Sequence, residues 1–123
     1  MADGVVPPGW PQEVRPPGAP DWERSAVSWL FDLCPGDYRA YEVLRRHPVV
    51  LARFAARQVG AQVAATRDGL AAVRTDLRDV VAPDVVDAAG LALEREGARL
   101  LALTRAVDLV ERALRGGRFR ARL

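Results

Sequence analysis

Apolar and small residues recur along the chain at alternating steps of three and four. One run goes from Val49 to Val80 through Ala52, Ala56, Val59, Val63, Thr66, Leu70, Val73 and Leu77. A second goes from Val86 to Leu114 through Ala89, Leu93, Glu96, Leu100, Leu103, Val107 and Val110. This is a heptad seam, the spacing that keeps one stripe of a helix facing a partner helix. Folding the runs back about Pro83 matches them layer for layer. Val80 meets Val86, Leu70 meets Glu96, Val63 meets Leu103 and Ala52 meets Leu114, each pair of numbers summing to 166. The pattern therefore predicts a long antiparallel helical hairpin.

Apolar residues off the seam gather at the open end of that hairpin: Leu51, Phe54 and Ala55 on one helix, Ala106, Leu109 and Ala113 on the other. Two short helices upstream are expected to cover them and build a small bundle. The first follows Asp21, a capping residue type. It runs to about Cys34, with Trp22, Ala26, Trp29, Leu30 and Leu33 on one face and Val27 and Phe31 on another. A helix apolar on two sides is buried on two sides. One side would meet the hairpin; the other would meet the N-terminal arm or another subunit. Pro35-Gly36-Asp37 ends this helix and begins the second, which carries Tyr38, Tyr41, Val43 and Leu44. Pro48 suits the first turn of the long helix. The far end of the hairpin, residues 66 to 100, would project as a two-helix arm roughly 25 Å long.

Residues 1–20 hold six of the nine prolines, including Pro7-Pro8 and Pro16-Pro17, and so are read as an extended, polyproline-like arm. Trp10 and Val14 are unusual in a solvated tail. They make the arm a candidate strap along the helices, with Trp10 as anchor. The expected organisation is a Pro-rich arm at 1–20, one helical domain at 21–115 and a basic tail at 116–123. A chain of 123 residues fits one domain. Glycines 60, 69, 90 and 97 fall inside the helices beside the seam, where small residues would permit close approach.

All 18 basic residues are arginine, but the net charge is only +2, so no global field drives the chain to nucleic acid. The distribution is uneven. Residues 76–87 contain Asp76, Asp79, Asp84 and Asp87 against Arg78, a net −3. Residues 45–57 carry Arg45, Arg46, Arg53 and Arg57 with no acid. The segment 112–123 carries Arg112, Arg115, Arg118, Arg120 and Arg122, again with no acid. In the hairpin both basic groups lie at the open end and the acids at the tip. Arg45, Arg46, Arg115, Arg118 and Arg120 are candidate contacts for an anionic partner, and Phe119 could stack on a base. Glu96, the one charged seam residue, would either snorkel beside Arg99 or Arg67, or form a polar layer with Thr66.

The remaining chemistry is sparse. Cys34 is the only cysteine and His47 the only histidine. They provide neither a metal set nor a nucleophile pair. The glycines form no phosphate loop, and the acids near the tip do not match a calcium loop. No catalytic residue, metal site or cofactor is expected. A single reduced cysteine and the absence of a leader-like segment or apolar span favour a cytoplasmic protein without membrane insertion.

Three stretches, Pro7-Pro8-Gly9-Trp10-Pro11, Asp32 through Arg39, and Val43 through Val49, resemble a family of small uncharacterised actinobacterial helical proteins. The resemblance spans most of the chain and implies no activity or site. Together these readings favour a non-catalytic protein–protein interaction module, with contact through Trp22, Val27, Trp29 and Phe31 to a protein partner or a second copy. The alternative is nucleic-acid or ribosome binding through the arginine-rich open end; an enzyme ranks last.

Overall fold

Four α-helices carry the fold in the computed structural model, which describes residues 6–116. They are α1 (Trp22–Asp32), α2 (Glu42–Arg46), α3 (Pro48–Leu77) and α4 (Pro83–Leu114), with a 3-10 turn at Gly36–Ala40 between the first two. The protein is all-α, and its frame is an antiparallel hairpin of α3 on α4. Pro48 and Pro83 open the two long helices, where a missing N–H costs no intrahelical bond. No described helix is long and apolar enough to cross a membrane.

The seam holds the two long helices together much as the spacing predicts. Ala52, Val59, Leu100, Val107 and Val110 are fully buried, and Val63 and Leu103 pack beside them. The register differs. Residues 78–82 form the connection, and Pro83 belongs to α4 instead of marking the centre of the fold-back. Cross-helix neighbours are Arg53 with Glu111, Arg74 with Asp87, Gly69 with Leu93, and Thr66 with Gly97. Their numbers sum to 161–164 and not 166, because the connection is centred near residue 80. Val80 continues the three–four spacing but lies in that connection, 70% exposed. The chain leaves α3 with Arg78 at φ −56°, ψ 132° and Asp79 at φ 62°. The latter is a left-handed position that aspartate tolerates better than most residues.

The short N-terminal helices cover the open end. α1 packs against both α3 and α4, and α2 packs against α3. Leu30, Leu44 and Leu51 are completely buried there, with Ala26, Ala55 and Ala106 filling the spaces between larger groups. Burying each leucine is worth about 1.5–3 kcal/mol. Phe54 departs from the expected cover: it is 42% exposed, with Tyr38 against its edge at 6.1 Å. Asp21 precedes α1, but its side chain makes no capping hydrogen bond.

Residues 6–20 of the Pro-rich arm are non-helical and lie along the bundle. Within it the chain is more compact than a polyproline strand, because the N–H groups of Trp10, Val14 and Ala19 donate to the carbonyls of Pro7, Pro11 and Pro16. Each of these prolines begins a tight turn, and Pro8 and Pro17 occupy the second position of theirs, which a fixed φ suits. Val14 and Ala19 are buried, and Trp10 Nε1 donates to the Val14 carbonyl at 2.9 Å. The Trp10 ring lies 6.4 Å from Trp22, centroid to centroid. Gly9, at φ +94°, lets the backbone pass Arg105, whose Nε reaches the Pro8 carbonyl at 3.3 Å. Glycines inside the hairpin have a different status. A methyl group at Gly60 or Gly90 would meet nothing within 4 Å, and one at Gly69 or Gly97 would make ordinary contact. Close helix approach therefore does not require them.

Candidate interaction surfaces

The two-sided helix α1 is covered on both sides within its own chain. Trp29 and Phe31 are only 6% exposed. Trp22 and Val27 are half-buried, Trp22 beneath Trp10 of the arm. Arg39 closes the end of this helix, its guanidinium 5.6 Å above the Phe31 ring and 2.6 Å from Asp32 Oδ1. The same region encloses Cys34, whose thiol is pushed up from its ordinary pKa by burial, with Arg39 opposing more weakly. A raised pKa keeps the thiol protonated and poorly nucleophilic.

Three of the arginines proposed as anion contacts have partners of their own. Arg45 Nη1 donates to the Arg39 carbonyl at 2.6 Å, and Arg46 pairs with Glu42 at 2.8 Å. Arg115 pairs with Glu111, whose residue is 6% exposed. Arg53 approaches the same carboxylate from α3 at 2.9 Å, so Glu111 is held between two guanidinium groups and joins the long helices at the open end. Nothing in the apolar spacing marks Glu111 as buried. The available signals were Arg115 four residues later and Arg53 opposite in the hairpin register. Arg118, Phe119 and Arg120 lie outside the described residues. Glu96 takes the snorkelling alternative: Arg99 donates to both its oxygens at 2.8 and 2.7 Å and lowers its pKa by that hydrogen bond.

Exposed apolar surface lies elsewhere, at three places. At the base, Tyr41, Val43 and Phe54 are 49%, 53% and 42% exposed. Tyr38 links the two aromatic rings, 5.6 Å from Tyr41, and its hydroxyl accepts from Gln58 Nε2 at 3.2 Å. At the connection, Val80 and Val85 are 70% and 47% exposed. Between them, Leu91 and Leu101 lie open on α4. Leu91 also lines a shallow groove of about 500 Å³ with Leu70, Val73 and Gly90, and the Arg74–Asp87 pair closes part of its wall. Phe54, Val85, Leu91 and Leu101 fall off the seam, where an apolar and a solvated residue are equally compatible with the helix.

No protein-family model, curated protein or solved structure matches the chain. Among the described residues no group of three or more His, Cys, Asp or Glu is gathered as a metal site would gather them.

Proposed function

We propose that the protein is a non-catalytic interaction module whose contact surface is the hairpin. The observation that supports this reading is the set of large apolar side chains left open on its rigid helices, led by Phe54, Leu91 and Leu101. Exposed aromatic and large apolar groups are enriched where proteins contact one another. The contact surface therefore moves from the Trp22 face of α1, which the arm covers, to the outer faces of α3 and α4. A cytoplasmic location and a protein partner belong to the same reading. Nucleic-acid binding through the basic open end ranks second, favoured by the exposed Tyr41 ring close in sequence to Arg45 and Arg46.

A photoreactive amino acid placed singly at Phe54, Leu91 or Leu101 tests this reading in cells, with Glu23 on exposed α1 surface as the control. Adducts to a protein at one or more of the hairpin positions, and none at Glu23, are expected. Adducts to nucleic acid alone would favour the second reading, and adducts equal to the control at all three would overturn the first.

A further inference from the structure

The two ends of the hairpin are chemically complementary. The base presents Tyr41, Val43 and Phe54, exposed, near Arg45 and Arg57, while Arg46 and Arg53 are paired with Glu42 and Glu111. The tip presents Val80 and Val85, exposed, among Asp76, Asp79 and Asp84. Among the described residues none of those three acids has an ion-pair partner, nor does Arg57. Each end thus has an apolar centre and an unbalanced charge, and the charges are opposite. The surface between them is the outer face of α3, where Ala61, Ala64, Ala65 and Ala71 are exposed beside Asp68.

On the reading that the hairpin is a contact surface, we infer that its partner is a second copy of the chain, bound antiparallel along α3 so that the tip of each copy seats on the base of the other. Along α3 the base at Phe54 and Arg57 and the tip at Asp76 are separated by roughly 30 Å in both copies. A two-fold axis across the middle of α3 therefore forms both contacts at once and closes the assembly at two chains. With the axis between residues 66 and 67, Arg57 of one copy comes level with Asp76 of the other, Ala61 with Ala72 and Ala65 with Asp68, and Phe54 lies near the partner's connection at Val80. The small side chains allow the two helices to approach closely. A parallel arrangement would set base against base and tip against tip, like charge on like.

The test is sedimentation of the full chain across a concentration series, with Arg57→Glu, Asp76→Arg and the double variant carrying both. The wild type is expected to sediment as a dimer. Each single reversal sets like charges together at two sites and should weaken dimerisation by roughly tenfold or more. The double variant exchanges the charges and should regain the dimer. Circular dichroism of all four chains should show the same helix content, since both residues are exposed. A folded wild type that stays monomeric would overturn the inference, as would a double variant no better than the singles. If Phe54 cross-links to a different protein while the chain itself is monomeric, the interaction module stands and the second copy falls. If Phe54, Leu91 and Leu101 cross-link to nothing above the control, both fall.

Discussion

One hairpin carries two kinds of packing. At its open end α3 and α4 are the floor for α1, α2 and the arm, and Leu30, Leu44, Leu51, Val59 and Val110 are at most 1% exposed. In the distal half the same heptad spacing continues, but among the described residues no third layer covers it. Val86 and Leu100 are the buried apolar residues there, while Leu70 is 38% exposed and Leu93 only half-buried. A heptad stripe specifies which face meets a partner helix and is silent on whether anything covers the pair. Stability is therefore concentrated at the base, and the seam itself becomes partly exposed towards the tip. Two helices with one seam bury too little to exclude water from both flanks, so the distal arm depends on the base to hold its helices together.

The sharpest way to break that contrast is to remove the same side chain from each half. Leu51→Ala opens a cavity in the three-layer base and should cost about 2–5 kcal/mol, whereas Leu70→Ala should cost about 1 kcal/mol or less because water already reaches the site. Chemical denaturation of both variants checks this, and equal losses would show that the two halves are packed alike. Deleting residues 1–19 removes buried Val14 and the Trp10 cover and should cost about 2–4 kcal/mol, with binding of an apolar dye to the exposed α1 face. An unchanged melting temperature would show that the base needs no arm. Arg53→Ala leaves Glu111 with only Arg115 and should cost about 1–3 kcal/mol by thermal melting. Smallest is Gly60→Ala, where a methyl group meets nothing and helix propensity improves. It should stabilise by about 0.5–1 kcal/mol, read from the denaturation midpoint.

Much of this architecture was legible in the residues, for identifiable reasons. The seam of α3 and α4 is long and strictly spaced, so its members and the antiparallel pairing could be read directly. Pro48 and Pro83 flank long periodic runs and mark where those helices begin. The place of the fold-back could not be read correctly, because Val80 keeps the three–four step through a connection whose backbone has left the helix at Arg78 and Asp79. Trp10 and Val14 indicated a docked arm. The turns came from proline spacing combined with i to i+3 hydrogen bonds, which composition alone does not distinguish from a polyproline strand. The surface reading was the least legible. The apolar excess of Trp29 and Phe31 looked available to a partner, but only tertiary packing shows that Arg39 and the hairpin occupy it. Conversely, Phe54 looked like core from its place beside Leu51 and Ala55, and it stands open.

Hydrogen exchange of the full chain, followed by peptide at low and high protein concentration, tests the division between base and arm most directly. Backbone amides of α3 residues 51–60 and α4 residues 103–113 should exchange only by global unfolding, while those of residues 66–77 and 86–97 open at lower free energy. In the antiparallel dimer, raising the concentration should slow exchange along residues 61–77. Uniform protection along both helices at every concentration would contradict the two-part hairpin and the surface assigned to its distal half.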